Sequence, residues 1–314
     1  METSMTNRTY RTGVTWFDWP WSLPELVGRK AGRTVSVVLP ALDEQATIAG
    51  VLASIRPLVG TLVDELVVID SGSTDDTVTV AESAGATAVY AADEVLPEIP
   101  ARPGKGEALW RSLAVTTGDL VVFIDSDLLA PSPLFVPSLL APLLFHEDIE
   151  LVKGYYRRPL AADPAGDPEG GGRVTQLVAR PLLTALAPEL GEVLQPLGGE
   201  YAATRNLLSG IPFAPGYGVD IGILLDAWQR HGPQAIAQVD LGTRIHRNRP
   251  THELADMSRQ LIATLLDRLG IRDSGIGLAR YRPDRAGWHR SVGTVSLTDR
   301  PAMNTVRAVG GVAS

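Results

Sequence analysis

The sequence predicts an α/β fold in which an open, mostly parallel sheet is flanked by helices. Continuous runs of apolar and β-branched residues, typical of strands covered on both faces, alternate with stretches of helical periodicity in the first half of the chain. Strands separated by helices form right-handed βαβ units and therefore run parallel. Three of the apolar runs end in polar residues, which predicts that ligands bind at one edge of the sheet.

Four strands and three helices are predicted in the first half. The strands are TVSVVLPA (34–41), ELVVID (65–70), ATAVY (86–90) and DLVVFID (119–125). The helices are predicted at 44–58, from SGSTDDT to Gly85, and at 104–118. Apolar residues recur at helical spacing in the first helix, serine or threonine provides an N-cap for the second, and a glycine ends the third.

The second half is less regular and predicts a mixed structure. Strands are expected at 150–160 and within 235–249, and the second of these is followed by polar residues. An amphipathic helix is expected at 251–270. After Gly270 the pattern is weak, and no function is assigned there. Near the N-terminus, the aromatic cluster WFDWPW (16–21) favours an arm that packs over the core or over another subunit.

Length and composition indicate an ordinary globular protein. The 314 residues suffice for one elaborated domain or two modest ones, and no apolar run reaches the roughly 18 residues of a membrane span. The N-terminal residues lack the apolar region of a signal peptide. Cysteine is absent, which excludes disulfides and thiolate metal sites and agrees with a reducing cytoplasm. The net charge of -8 argues against broad nucleic-acid binding but allows a local basic pocket for a small anion.

The polar strand ends distinguish between three ways of binding a nucleotide at a parallel sheet. The first strand runs into LPALDE rather than the G-x-G-x-x-G of a dinucleotide site, and Gly104-Lys105-Gly106 lacks the spacing and hydroxyl of a P-loop. The fourth strand instead ends in Asp125-Ser126-Asp127. An Asp-x-Asp at a strand end can hold a divalent cation that bridges a nucleotide diphosphate, because carboxylate oxygens suit Mg²⁺ or Mn²⁺.

An isolated D-x-D on a protein surface is usually a solvated pair. Here apolar residues directly precede the motif, and the ends of two earlier strands, Pro40–Glu44 and Asp70–Ser73, are polar as well. Charges at the mouth of a buried sheet are costly unless a cation or hydrogen-bond donors satisfy them. The position of the motif therefore favours a metal site.

Together these stretches resemble the GT-A glycosyltransferases, which have a Rossmann-like sheet, a first strand ending in V-V-L-P-A-x-[ND]-E and a later strand carrying D-x-D. Within that fold, the chain is similar to the actinobacterial glucosyl-3-phosphoglycerate synthases, whose segments occur in the same order. The matching segments are VVLPALDE, DSGSTDDT, RPGKGEALWRSL, VVFIDSDL, GGGRVTQLVARPLL, GEYAATR, FAPGYGVDIG and IHRNRP. The likeness extends from about Trp16 to about Gly277.

This resemblance implies a retaining, metal-dependent transfer of glucose from UDP-glucose to the 2-hydroxyl of 3-phosphoglycerate, with Mg²⁺ or Mn²⁺ as the metal. It implies a cytoplasmic homodimer that begins methylglucose lipopolysaccharide synthesis. It also implies four regions. They are an N-terminal arm (1–30), a nucleotide-sugar-binding subdomain (31–158), an acceptor-binding subdomain (159–250), and a C-terminal helix and tail (251–314).

Position by position, the resemblance implies four sets of site residues. Donor contacts fall on Pro40, Ala41, Leu42, Asp43, Glu44, Ser71, Lys105, Asp125, Ser126, Tyr217, Gly218, Val219 and Asp220. Phosphoglycerate contacts fall on Gly172, Arg173, Val174, Thr175 and Asn248. The metal ligands are Asp127 and His246. Catalytic roles fall on Asp127, Lys105, Asp220 and Leu197, whose backbone carbonyl would stabilise the acceptor hydroxyl and the anomeric centre.

The residues themselves allow a second interpretation of several positions. A lone histidine such as His246 is more often structural than a metal ligand, glycines before Arg173 are typical of a flexible connector, and Lys105 can be an exposed loop lysine. However, backbone N–H groups, a guanidinium and a hydroxyl at a helix start form an anion site. Two positions differ from the common family pattern. Asp220 replaces the usual glutamate, which bears on donor preference or rate, and Asp43 replaces a common asparagine.

The expected mechanism uses no side-chain nucleophile. The acceptor attacks the face from which UDP leaves, and the leaving diphosphate oxygen takes the acceptor proton. The metal on Asp127 and His246 stabilises the departing charge together with Lys105. Two alternatives stay open: a GT-A transferase with another donor or acceptor, such as a mannosyl-3-phosphoglycerate synthase or an inverting enzyme, and a non-catalytic sugar-nucleotide-binding protein.

Overall fold

An eight-stranded sheet forms the centre of the molecule in a computed structural model that describes residues 15–17, 21–158, 172–244, 250–285 and 287–310. The strands are β1 (Thr15–Phe17), β2 (Val35–Ala41), β3 (Glu65–Asp70), β4 (Ala88–Ala91), β5 (Leu120–Phe123), β6 (Leu151–Arg157), β7 (Tyr201–Thr204) and β8 (Ile236–Thr243). Their order across the sheet is β1-β8-β6-β7-β5-β2-β3-β4. Within these residues β7 runs antiparallel to both neighbours, and the other neighbouring pairs are parallel. The predicted open, mostly parallel sheet is confirmed.

The predicted apolar runs form the central strands of this sheet. Val37 of β2 lies opposite Leu66 of β3 on one side and Val122 of β5 on the other, and all three are inaccessible to solvent. A strand with neighbours on both sides and helices on both faces has no solvent-facing side. Its sequence is therefore continuously apolar rather than alternating.

β7 is absent from the predicted strands. It consists of Tyr-Ala-Ala-Thr and lies between β5 and β6. The run is short and contains neither an alternating pattern nor several β-branched residues, so nothing in its composition distinguishes it from a loop. It becomes a strand because it is paired along both edges.

Helices cover both faces of the sheet. They are α1 (Leu23–Lys30), α2 (Ile48–Ile55), α3 (Thr77–Ser83), α4 (Lys105–Val115), α5 (Phe135–Phe145), α6 (Arg180–Leu186), α7 (Arg205–Gly210), α8 (Val219–His231), α9 (Thr251–Arg268) and α10 (Met303–Gly310). α2 begins later than predicted because a turn precedes it, in which the N–H groups of Thr47 and Ile48 donate to the Glu44 carbonyl. None of the helices in the described parts of the chain has the length and apolar composition needed to cross a bilayer.

Two apolar clusters fill the space between the sheet and its helices. One lies against α4, α8 and α9 and includes Trp110, and the other lies against α1, α2 and α5 and includes Leu52. Successive residues of a strand face opposite clusters, so that Val38 belongs to the first and Leu39 to the second. The sheet is thus buried on both faces, and its ends and loops remain available for binding.

The start of the described chain packs onto this core. Trp21, the last residue of the aromatic cluster, stacks on Phe145 of α5 with ring centroids 5.0 Å apart. The guanidinium of Arg29 lies 4.9 Å from the centroid of the same ring. Before these residues, β1 adds a short parallel strand to the edge of β8.

The chain after α9, for which the sequence predicts no elements, forms a hairpin and an anchored segment. The hairpin pairs β9 (Ala279–Asp284) with β10 (Gly287–Val292). Beyond it, Arg300 exchanges two backbone hydrogen bonds with Phe213, at 2.9 and 3.0 Å. The Arg300 guanidinium contacts the Glu107 carboxylate of α4 at 2.6 Å, and the Trp110 indole donates to the Pro301 carbonyl at 2.8 Å. The C-terminal segment is therefore fixed to α4.

Candidate active site

The polar ends of three neighbouring strands meet at one edge of the sheet. β5, β2 and β3 are adjacent, and hydrogen bonds join their ends. The Ser71 N–H donates to the Ala41 carbonyl at 2.9 Å, and the Ser126 hydroxyl donates to the Pro40 carbonyl at 2.6 Å. Residues predicted from three separate motifs thus form one continuous edge, as expected for the carboxyl ends of parallel strands.

The loop after β2 adopts a backbone conformation that suits few residues. Asp43 has a φ of 55°, in the left-handed region that aspartate and asparagine tolerate better than most other residues. Its N–H donates to the Ser73 hydroxyl at 2.9 Å, and its carboxylate accepts from the Thr74 N–H at 2.7 Å. Leu42 beside it is half exposed, and Glu44 is half buried. The conformation explains why aspartate is well suited to this position.

Lys105 connects two of the predicted site carboxylates. It is the first residue of α4, and its Nζ lies 2.8 Å from Asp125 Oδ1 and 3.2 Å from Asp220 Oδ1. Asp220 belongs to the first turn of α8 and is buried. The Lys105 side chain is only 13% exposed, so water screens these ion pairs less than it would on the surface. The structure thus brings three distant parts of the chain together.

Lys105, Asp125 and Asp220 stabilise one another in their charged forms. Burial alone would lower the pKa of Lys105, but the carboxylates of Asp125 and Asp220 outweigh burial and hold that pKa well above its ordinary value. Burial acts to raise the pKa of Asp125, whereas Lys105 and Arg244 bring it well below the usual range of a carboxyl group. Both groups therefore stay charged at neutral pH. A fixed ammonium at this edge suits an anionic diphosphate.

Arg244, which sequence reasoning did not select, supplies a second cation. Its Nη2 donates to Asp125 Oδ2 at 2.8 Å and to Asp127 Oδ1 at 2.9 Å. The side chain is 5% exposed, and its guanidinium lies 5.5 Å from the centroid of the Tyr156 ring. Arg244 directly follows β8, so its place at the end of a strand was the one signal that could have identified it.

Glu200 is a second residue that sequence reasoning missed. Its side chain is fully buried, and its Oε1 lies 3.1 Å from Arg244 Nε. Burial raises the pKa of Glu200, and Arg244 opposes that effect. Glu200 immediately precedes β7, which the sequence did not predict either, so no strand end pointed to it.

The start of α4 is in backbone contact with the segment that leads into α8. A Cβ on Gly106 would lie 2.1 Å from the Ala214 carbonyl oxygen, so only glycine allows this approach. The approach brings Lys105 within reach of Asp220. Glycine at this position thus serves helix packing rather than a P-loop.

The predicted donor-sugar segment packs tightly against α9. Gly216–Gly218 form one turn of 3-10 helix, and Val219 begins α8. The Tyr217 N–H donates to Gln260 Oε1 at 2.9 Å, and a Cβ on Gly218 would lie 2.1 Å from Thr264 Oγ1. The segment is therefore held by its backbone and presents Asp220 from a rigid helix start.

Leu197 lies in a turn that borders Asp125. In this turn the Gly198 N–H donates to the Gln195 carbonyl at 3.0 Å, and Leu197 is half buried. A Cβ on Gly199 would lie 2.1 Å from Asp125 Oδ2. The backbone of the turn is thus in van der Waals contact with the central carboxylate of the site.

The predicted phosphoglycerate residues open a helix, as expected. Helical structure begins at Arg173, passes through a π-helical stretch at Thr175–Ala179 and continues into α6. Gly172 precedes it with a φ of 71°, and Arg173 is exposed, whereas Val174 and Thr175 are buried. An exposed arginine at the positive end of a helix suits an anionic ligand.

This helix is linked to the turn that contains Leu197. Arg180 at the start of α6 donates from its Nη2 to the Leu194 carbonyl at 2.8 Å. Leu194 in turn donates its N–H to Gln238 Oε1 of β8 at 2.7 Å. The structure therefore connects the candidate acceptor helix to the edge that carries Asp125.

Asp127 fits the role of a metal ligand. Arg244 contacts one of its carboxylate oxygens. The Asp127 side chain is 26% exposed, so a cation can reach it. A carboxylate oxygen is the hard donor that Mg²⁺ and Mn²⁺ take. His246 and Asn248, predicted as second metal ligand and acceptor contact, lie outside the described residues. Among the described residues, no three Asp, Glu or His side chains surround a common metal position.

Comparison with known proteins identifies the family. Residues 36–160 match the model of Glycosyl transferase family 2. Over 296 residues the chain is 59% identical to the glucosyl-3-phosphoglycerate synthase of Mycolicibacterium smegmatis, and the alignment covers 94% of this chain and 97% of that protein. The chain belongs to the glucosyl-3-phosphoglycerate synthase family.

Solved structures of a glucosyl-3-phosphoglycerate synthase share the fold. A crystal structure of the Mycobacterium tuberculosis enzyme in complex with Mn²⁺, UDP-glucose and phosphoglyceric acid is 59% identical, with a TM-score of 0.87 over 95% of this chain and 100% of that one. A second, with Mg²⁺ and UDP, is 60% identical with a TM-score of 0.86 over 94% of this chain and 99% of that one. The predicted GT-A fold and family are confirmed.

Proposed function

We propose that this chain transfers glucose from UDP-glucose to the 2-hydroxyl of 3-phosphoglycerate, releases UDP and retains the configuration at the anomeric carbon. The observation that carries the proposal is the contact of Lys105 with both Asp125 and Asp220, which joins the D-x-D edge to the start of α8 in one shielded site. The 59% identity to a glucosyl-3-phosphoglycerate synthase, along almost the whole chain, supports the same reaction.

The strand ends and Lys105 bind the donor. Pro40–Glu44 and Ser71 lie side by side at the ends of β2 and β3 and would contact the uridine. The Lys105 ammonium would contact the diphosphate. Asp125 and Asp220 orient that ammonium, and their carboxylates are suitable acceptors for hydroxyl groups of the sugar.

Asp127 would hold the metal, with His246 as the second protein ligand. A bound Mg²⁺ or Mn²⁺ neutralises negative charge on the diphosphate as it leaves. Arg244 fixes one oxygen of Asp127, and Glu200 in turn contacts Arg244. The carboxylate is thus held in one orientation, as an efficient metal ligand requires.

The helix that begins at Arg173 would bind the acceptor. Arg173 and the N–H groups of the first turn are complementary to a phosphate or carboxylate, and Thr175 and Asn248 would add polar contacts. The acceptor hydroxyl attacks the face that UDP leaves, and its proton passes to the departing diphosphate oxygen. The protein contributes by orienting the two substrates and by stabilising the departing charge with Lys105.

Substitution of Asp127 by alanine tests the proposal. Asp127 is the one proposed metal ligand that lies within the described residues. We therefore expect kcat of D127A to fall about 100-fold or more. The measurement is UDP release in the presence and absence of 3-phosphoglycerate, with NMR analysis of the product and with GDP-mannose as an alternative donor.

Asp267→Ala is the control, because the Asp267 side chain is 67% exposed and its ion pair, with Arg268, involves none of the predicted site residues. D267A should keep normal turnover. Substantial activity in D127A would contradict the metal assignment. A wild-type product other than glucosyl-3-phosphoglycerate would contradict the donor or acceptor.

The homodimer and the cytoplasmic location are further parts of this proposal. The β9–β10 hairpin supports a dimer, because a two-stranded ribbon is only marginally stable by itself in water. Its Tyr281 and Trp288 side chains are 59% and 72% exposed, so the hairpin offers apolar surface to a second copy of the chain. The absence of cysteine supports a reducing compartment.

A further inference from the structure

Lys153 is a buried lysine that none of the motifs includes. It lies in β6 and is 2% exposed. Its Nζ donates to the Gly198 carbonyl at 2.7 Å and lies 4.3 Å from the centroid of the Tyr201 ring. The hydrogen-bond acceptor is thus a neutral carbonyl rather than a carboxylate.

A buried ammonium with such a partner is costly. Burial and the nearby Lys105 ammonium lower the pKa of Lys153 to about 8, although Asp220, Glu200 and Asp125 act in the opposite direction. A leucine or methionine at this position would avoid the desolvation of a cation. A specific role for the ammonium would account for this cost.

The use of lysine in this chain is selective. Its 28 basic residues include only three lysines, Lys30, Lys105 and Lys153, and the others are arginines. Two of the three belong to the interior around Asp125 and Asp220. Lysine offers a compact point charge on a linear stem, whereas the planar guanidinium of arginine needs more room and several partners. The compact ammonium of Lys153 therefore suits a buried position with one carbonyl acceptor, that of Gly198.

The turn that Lys153 holds supports two parts of the candidate site. Gly198 is followed by Gly199, whose backbone lies against the Asp125 carboxylate, and by Glu200, which contacts Arg244. Arg244 contacts both Asp125 and Asp127. A displacement of this turn therefore removes the support of Asp125 and shifts the partner of Arg244.

Other side chains fix the earlier part of the same segment. Arg180 and Gln238 hold Leu194 at 2.8 and 2.7 Å, four residues before Gly198. These contacts fix the beginning of the segment. Lys153 fixes Gly198 beside Asp125, and the Gly154 N–H fixes Glu200 by donating to its carbonyl at 2.9 Å. The side chain that fixes the turn beside Asp125 is thus a buried lysine whose hydrogen bond goes to the Gly198 carbonyl.

We propose that Lys153 is a positioning residue of the glucosyl transfer: by holding the Gly198 carbonyl, it fixes the Gly199 backbone against Asp125, the carboxylate that contacts both Lys105 and Arg244. This inference rests on the function proposed above. It adds that the geometry of Lys105, Asp125 and Arg244 depends on a lysine that touches none of them directly.

The three lysines allow a direct test by NMR of protein labelled at the lysine ε-methylene carbons. Lys153→Met removes the ammonium while keeping the length of the side chain. In K153M the Lys105 signal should broaden, because its partner Asp125 has lost the support of Gly199 and samples several positions. A shift without broadening would reflect only the loss of the nearby Lys153 charge. The Lys30 signal should stay unchanged, since Lys30 pairs with Asp64 at 2.6 Å, away from this turn. It reports whether the variant is folded.

Kinetics supply the second measurement. We expect kcat of K153M to fall about 10- to 100-fold, the range that follows from a small misplacement of reacting groups. KM for 3-phosphoglycerate should change much less, because the acceptor helix is anchored through Arg180. K153R retains a charged donor and should restore part of both the Lys105 signal and kcat, whereas K153Q, shorter and neutral, should restore less.

Two results would overturn the inference. One is a folded K153M with a Lys105 signal as narrow as in the wild type or with kcat within about twofold of wild type. The other is failure of all three Lys153 variants to fold, which would make the lysine a structural residue. Neither depends on the identity of the product, so a wrong donor or acceptor would be recognised separately by the wild-type product analysis.

Discussion

Asp125 and Asp127 differ in their surroundings although only Ser126 separates them in the sequence. Asp125 contacts Lys105 through one oxygen and Arg244 through the other, and the Gly199 backbone lies against it. Asp127 contacts Arg244 at 2.9 Å and is the more exposed of the two. Asp125 therefore organises the cations of the site, whereas Asp127 is available to a metal. This division follows from the side-chain contacts and not from the motif.

Asp226 is a buried carboxylate of α8 that contacts none of the predicted site residues in the described ion pairs. It contacts Arg268 at 2.9 Å, and Arg268 also contacts Asp299 at 2.6 Å. Burial raises the pKa of Asp226 to about 6, and Arg268 offsets only part of that effect. The native state therefore takes up a proton at a pH where the unfolded chain does not.

Asp226 should make stability depend on pH. Protonation of native Asp226 stabilises the fold as the pH falls through 6, and this stabilisation is lost as the pH rises again. Relative to D226N, the wild type should gain about 1 kcal/mol of unfolding free energy between pH 7 and pH 5. Urea denaturation of both proteins at pH 7, 6 and 5 measures the difference.

The control is D148N, because Asp148 is an exposed residue that follows α5 and takes no part in the contacts of Arg268 with Asp226 and Asp299. The unfolding free energy of D148N should follow that of the wild type over the same pH range. A constant difference between wild type and D226N would show that Asp226 does not titrate there.

At the scale of elements, the contact between α4 and the segment before α8 positions the cation of the site. Gly106 allows the two backbones to touch. The C-terminal segment contacts the same part of α4, because the Arg300 guanidinium donates to the Glu107 carboxylate. Arg300 also pairs with Phe213, which directly precedes Ala214. The end of the chain thus stabilises the contact that brings Lys105 to Asp220.

Gly106→Ala tests this arrangement. A Cβ would lie 2.1 Å from the Ala214 carbonyl oxygen, so α4 must move away and carry Lys105 with it. We expect a loss of about 1 to 3 kcal/mol in unfolding free energy from overpacking, and a fall in kcat of about 10-fold or more from the displaced ammonium. Denaturation and steady-state kinetics provide the two measurements.

Gly50→Ala is the matched control for G106A. Gly50 also lies in a helix, but a Cβ there has no atom within 4 Å. Because alanine favours helices more than glycine does, G50A should leave kcat unchanged and keep or raise stability. Equal behaviour of the two variants would contradict the role of the α4 contact.

At the scale of the whole molecule, one sheet unites strands from the start, middle and later parts of the chain. β1 and β8 lie at one side, and β2, β3 and β4 lie at the other. The candidate site lies where β5 meets β2 and β7, so residues on both sides of the sheet contribute to it. The β9–β10 hairpin stands apart from this sheet and pairs only with itself among the described strands.

The hairpin should carry the dimer interface. Trp288 is 72% exposed, and an aspartate there would place a charge in the proposed interface. W288D should therefore shift the protein from dimer to monomer in size-exclusion chromatography with light scattering. Val78→Asp is the control, since Val78 is an exposed apolar residue of α3. A dimeric W288D, or a monomeric wild type, would contradict the proposal.

The fold class, the main parallel strands and the family can all be derived from the order of the amino acids. Long apolar runs such as those of β2 and β3 can be recognised in the sequence because strands that are buried on both faces require them. The polar residues after these strands, including Asp125 and Asp127, were found for the same reason, since parallel strands end on a common edge. Local composition was sufficient where the local sequence carried the constraint.

Which charged groups contact one another is evident only in the folded chain. β7 and the β9–β10 hairpin have no distinctive pattern, since one is too short and the other is exposed along nearly its whole length. Arg244, Glu200 and Lys153 were missed because each sits outside a motif, and its significance lies in partners that are remote in sequence. Hydrogen bonds and ion pairs act over a few ångströms in space, whatever the separation along the chain. Folding alone brings these groups together.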